Sequence, residues 1–91
     1  MNFAISQNPT TGEILARYPM QTASELDQAF AQSAQAFNQW RYSSMETRVT
    51  VLRQLGEQLR QRETELSRMI TLEMGKPVAQ ARGEILKCAN L

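Results

Sequence analysis

Apolar and polar positions alternate over the first residues of the chain, the pattern of a half-buried β-strand. The alternation covers residues 3–18 and is interrupted by a central turn sequence. Within that turn, Asn8 can bond its side chain to the backbone ahead, and Gly12 can adopt the left-handed conformation. We therefore predict a β-hairpin over residues 3–18 whose pairing Pro19 ends.

Helical spacing of the apolar positions follows the hairpin. Thr22 and Glu25 have the spacing of a capping box, so a helix is expected to begin there. We predict a helix over residues 23–40 and interpret its apolar face as core rather than as a ligand-stacking surface. That face comprises Leu26, Ala29, Phe30, Ala34, Phe37 and Trp40.

A longer helical pattern covers residues 44–74, preceded by a second candidate capping box from Ser43 to Glu46. Whether this stretch is one bent helix or two, with a break near residues 62–64, is left open by the pattern. Gly56 lies on the apolar face, where glycine costs about 1 kcal/mol of helix propensity relative to alanine. We expect another element to approach closely there. The other apolar positions are Met45, Val49, Leu52, Leu55, Leu59, Leu66, Met69 and Ile70.

The remaining residues predict a turn and a last helix. Gly75 is placed as a left-handed helix cap, and Pro77 as the first residue of a helix over residues 77–91. No residue typical of a helix end follows Asn90. The helical pattern therefore looks as if it is cut off within a helix.

Composition limits the function classes. Hydrophobic residues make up 42% of the chain, but many are alanine, which gives little apolar area for a core of its own. A net charge of +1, with acidic and basic residues interleaved along the helices, indicates a solvated face and argues against nucleic-acid binding. The sequence has neither an apolar run of roughly 20 residues nor a signal-peptide pattern. We expect a soluble, cytoplasmic protein without membrane contact.

Candidate chemistry is sparse. The chain has no histidine, which removes the commonest general base near neutral pH and the commonest metal ligand. Its single cysteine, Cys88, lies on an apolar helix stripe and is predicted to be buried and inert.

The sequence from Gly75 to Pro77 lacks the second glycine and the hydroxyl residue of a phosphate loop. Pairs of carboxylates two residues apart face different ways on a helix. We therefore assign no catalytic, cofactor-binding or metal-ligating residue.

The order of the motifs resembles the aldehyde dehydrogenase superfamily. Members of that family often open with an Asn-Pro-x-Thr-Gly-Glu turn, which residues 8–13 match. An alanine- and phenylalanine-containing helix that ends at a tryptophan follows, as at Trp40, and then an Arg-Val-x-x-Leu-like helix from Arg48. The stretches 72–77 and 81–85 resemble the succinate-semialdehyde dehydrogenase branch.

This resemblance implies an α/β enzyme several times longer than the chain. In the family, a cysteine attacks the aldehyde, hydride passes to NAD or NADP, and a glutamate-activated water releases the acid. Those residues and the cofactor loops lie downstream of the part matched here, and Cys88 does not match the nucleophile motif. The resemblance implies that residues 1–91 are the N-terminal part of the Rossmann-like cofactor domain, without the catalytic domain, in a homodimer or homotetramer. It also implies that Glu84 and the backbone near Gln7 are the places to look for a monovalent cation.

A second interpretation is a stand-alone helical interaction module whose exposed stripes bind a partner. The two interpretations predict different behaviour of the isolated chain. A scaffold segment is expected to fold poorly and to show no NAD-dependent turnover, whereas a module is expected to unfold cooperatively as a monomer.

Overall fold

The structure, a computed structural model, describes residues 2–91. A two-stranded antiparallel hairpin opens it, and four helices follow. The strands are β1 (Phe3–Gln7) and β2 (Ile14–Pro19); the helices are α1 (Ala23–Trp40), α2 (Met45–Gln61), α3 (Glu63–Met74) and α4 (Val78–Ala89). The predicted order of a hairpin and then helices is confirmed.

The hairpin turn forms as its sequence predicts. The Asn8 side-chain oxygen accepts hydrogen bonds from the backbone N–H groups of Thr10, at 2.8 Å, and Thr11, at 3.3 Å. Gly12 has a φ of +78°, the left-handed conformation that returns the chain into β2.

The strand β2 ends at Pro19, as expected, but Pro19 is itself paired, one residue beyond the predicted hairpin. Pro19 lies opposite Phe3 in the register, and the next residue, Met20, donates its N–H to the carbonyl of Asn2 at 2.9 Å. Hydrogen-bonded and non-hydrogen-bonded residue pairs alternate along two antiparallel strands. A proline at a non-hydrogen-bonded position therefore costs no hydrogen bond between the strands.

The two capping predictions have different outcomes. At α1, Thr22 accepts from the Glu25 N–H at 3.1 Å, and the Glu25 carboxylate accepts from the Thr22 N–H at 3.2 Å, which confirms the box. At α2 the capping residue is Ser44, whose hydroxyl accepts from the Thr47 N–H at 3.1 Å. The box predicted from Ser43 is therefore wrong, because Ser43 still belongs to the turn after α1.

The open question about residues 44–74 resolves into two helices. Arg62, with φ −101° and ψ 15°, leaves helical geometry and separates α2 from α3. Gly75 has a φ of +74° and donates its N–H to the Thr71 carbonyl at 2.9 Å, the predicted left-handed cap. The last helix is shorter than residues 77–91, since Pro77 is its capping residue and Ala89 its final one.

Helix packing is concentrated around α4, which lies against both α3 and α2. The residues buried there are small: Gly56, Ser67, Ala81 and Ala89. A Cβ built on Gly56 would lie 2.8 Å from the Ala89 carbonyl oxygen. The predicted close approach at Gly56 is thus confirmed, and α4 is the element that approaches.

The interpretation of the α1 face as core is wrong for this chain. Within residues 2–91, α1 does not pack against any other helix or strand. Phe30 is 70% exposed and Phe37 is 61% exposed. The periodicity identified the apolar face correctly, but nothing in the described part of the chain covers it.

The elements form a single thin layer. The principal-axis extents are 47 × 39 × 14 Å, and the radius of gyration is 17.4 Å. A compact domain of this length has a radius of gyration of about 12 Å. Stable domains have at least two packed layers, so both broad faces of this layer lack the cover that a second layer provides.

Candidate docking surface

One side of α1 is mostly apolar, with Ser33 between Phe30 and Phe37. We call this side the α1 stripe and define it by its large side chains, Leu26, Phe30, Phe37 and Trp40. They recur at helical spacing and are each between 42% and 70% exposed. Contiguous apolar surface of this kind marks an interaction site rather than ordinary surface variation.

Arg48 fixes the end of α1 to the start of α2. Its guanidinium donates to the Arg41 carbonyl at 2.9 Å, to the Trp40 carbonyl at 3.3 Å and to the Ser43 hydroxyl at 3.0 Å. The last carbonyls of a helix have no partner within the helix and carry partial negative charge, so a cation stabilises them. The interleaved charges along the helices predicted only a solvated face for Arg48; its position just after a helix C-terminus is the signal that could have identified its contacts.

Arg60 makes the equivalent contact at the end of α4. It donates to the Ala89 carbonyl at 3.1 Å and to the Asn90 side-chain oxygen at 2.8 Å. Both arginines belong to α2, which therefore holds the C-terminal ends of two neighbouring helices. No local signal in the sequence predicts the Arg60 contact, because its partners are about thirty residues away.

A second concave surface lies between the hairpin and α3. This open cleft has a volume of about 650 Å³. Leu15, Tyr18, Met69 and Leu72 give it an apolar floor, and charged side chains of α3 line its rim. Like the α1 stripe, the cleft presents apolar side chains that the described residues leave uncovered.

One ion pair is local in sequence, as predicted for a solvated face, and another joins two helices. Arg62 and Glu65 lie 2.8 Å apart, and Arg82 of α4 lies 2.7 Å from Glu63 of α3. The hydrogen bond and charge of Arg62 hold the pKa of Glu65 below its usual value. This interaction is present above the usual glutamate pKa and is lost as pH falls through the lowered one. Both side chains are more than half exposed, so solvent screening keeps the effect on stability small.

Cys88 is exposed, and the expectation that it is buried is wrong. The last turn of α4 packs on α2 through the adjacent residue, Ala89, which is buried beside Gly56. Cys88 lies outside that contact.

The residues named for a cation do not converge in an obvious site. The Glu84 carboxylate is paired with the Lys76 ammonium, and the Gln7 side chain donates to the Gly12 carbonyl at 2.8 Å. Within residues 2–91, no group of three or more histidine, cysteine or acidic side chains is arranged to hold a metal ion. A cation at Glu84 stays a prediction.

The described residues contain no glycine-rich loop of the dinucleotide-binding type. The first turns of α1 and α2 are capped by Thr22 and Ser44, whereas those of α3 and α4 have no side-chain cap. In addition, no helix in residues 2–91 is both long and apolar enough to cross a membrane.

Comparison with known proteins decides the family. The profile described as the aldehyde dehydrogenase family matches residues 3–91. The chain belongs to this family. Over 88 residues, 97% of the chain, it is 46% identical to the succinate semialdehyde dehydrogenase [NAD(P)+] Sad of Escherichia coli (strain K12). Over 78 residues, 86% of the chain, it is 45% identical to a malonate-semialdehyde dehydrogenase of Listeria monocytogenes serotype 4a (strain HCC23).

The chain matches only part of each aldehyde dehydrogenase. It spans 19% of the length of the E. coli relative and 16% of that of the Listeria relative. The predicted resemblance to aldehyde dehydrogenases is confirmed. The two relatives carry different substrate names, so the family match is compatible with more than one semialdehyde.

Proposed function

We propose that this chain is a scaffold for the NAD(P)-binding domain of an enzyme that oxidises an aldehyde to a carboxylic acid. The family match across residues 3–91 carries the proposal. The thin layer with an uncovered α1 stripe supports it, because a scaffold segment needs a second layer from elsewhere to complete its packing.

The proposed substrate is succinate semialdehyde, with malonate semialdehyde as the second candidate. Both names come from relatives with similar identity to this chain, 46% and 45%. Each is a short aldehyde that also carries a carboxylate. Substrate choice depends on parts of the fold outside the described residues, so the contribution of this chain is support rather than selection.

The cofactor, NAD or NADP, is proposed to bind outside this chain, whose described residues contain no glycine-rich dinucleotide loop. The assembled enzyme is proposed to be a cytoplasmic homodimer or homotetramer. The alternative of a stand-alone interaction module is not favoured, because the match to an enzyme family extends over nearly the whole chain.

The direct test is a chimera of the E. coli relative in which the 88 matched residues are exchanged for those of this chain. We expect the chimera to form reduced nicotinamide with succinate semialdehyde, and the isolated chain to form none. A folded chimera without turnover, or turnover by the isolated chain, would contradict the proposed scaffold role.

Substrate choice is tested in the assembled enzyme that carries this chain. We expect kcat/KM to be higher for succinate or malonate semialdehyde than for propanal, which lacks a carboxylate. A preference for propanal would remove the assignment to carboxylate-bearing aldehydes while leaving aldehyde oxidation in place.

A further inference from the structure

We draw no further inference here: the strongest candidate, the open cleft between the hairpin and α3, presents apolar side chains that the described residues leave uncovered, and nothing in the structure shows what covers it.

Discussion

At the scale of single residues, small side chains determine how closely the helices approach. The buried positions on α2, α3 and α4 are glycine, serine and alanine, which allow backbones to come near without leaving gaps. Their packing tolerates little added volume, because protein interiors are close-packed.

Gly56→Ala is expected to destabilise the chain by about 1–3 kcal/mol, the usual cost of overpacking. The added Cβ would lie 2.8 Å from the Ala89 carbonyl oxygen, a backbone atom that cannot move without shifting α4. Urea unfolding of the chimera with the E. coli relative, followed by circular dichroism, measures the change.

Gly83→Ala is the matched control, because nothing lies within 4 Å of a Cβ built there. It should stabilise the chain by up to about 1 kcal/mol through helix propensity alone. If both substitutions stabilise the chain, α4 does not pack against Gly56 as described.

Residue-level predictions from sequence succeeded where a local rule applied. Gly56 was identifiable because a glycine on an apolar helix face needs a packing reason, and Gly75 because of its position before Pro77. Cys88 was assigned wrongly, since an apolar stripe does not show which of its residues the neighbouring helix covers; α2 covers Ala89 but not Cys88. The roles of Arg48 and Arg60 depend on which helix ends lie near them in three dimensions.

At the scale of elements, α1 differs from the other helices because it has no tertiary packing within residues 2–91. An isolated helix of this length is marginal in water, so local interactions decide whether it forms. The capping box at Thr22 and the Arg48 contacts at the other end are the local interactions available.

Thr22→Ala is expected to reduce the stability of α1 by about 1 kcal/mol, since it removes the acceptor for the Glu25 N–H. Thr22→Ser keeps the hydroxyl and should be close to neutral. Amide hydrogen exchange of α1 measures both. Equal exchange in the alanine and serine variants would mean that the cap does not limit α1.

Element boundaries were predictable where the capping chemistry is unambiguous, as at Thr22 and Gly75. Ser43 and Ser44 are adjacent candidates for the same role, and the choice depends on how many residues the turn after α1 requires. Arg62 caps the end of α2 and the start of α3. No glycine or proline marks this position, so the apolar pattern could not decide between one bent helix and two.

At the scale of the whole molecule, the layer is thin because α1 extends away from the other elements. The sequence contains the apolar periodicity of every helix, but periodicity cannot say whether the covering surface belongs to the same 91 residues. This is why the helical faces were predicted correctly and their burial was not.

Small-angle X-ray scattering of the dilute isolated chain should give a radius of gyration of 17.4 Å or more, because the described fold has that value and a poorly folded chain is larger. A compact domain of the same length would give about 12 Å. A value near the compact limit would mean that α1 folds back onto the other helices, and would remove the uncovered α1 stripe.

The 14 Å thickness has a consequence for the life of the chain in a cell. A layer one helix thick has almost no interior. Most of its backbone amides therefore lie close to the surface, within reach of solvent and of a protease. Local opening then needs little free energy, and degradation follows opening. The time such a chain survives is therefore expected to depend on how soon after synthesis another surface covers it.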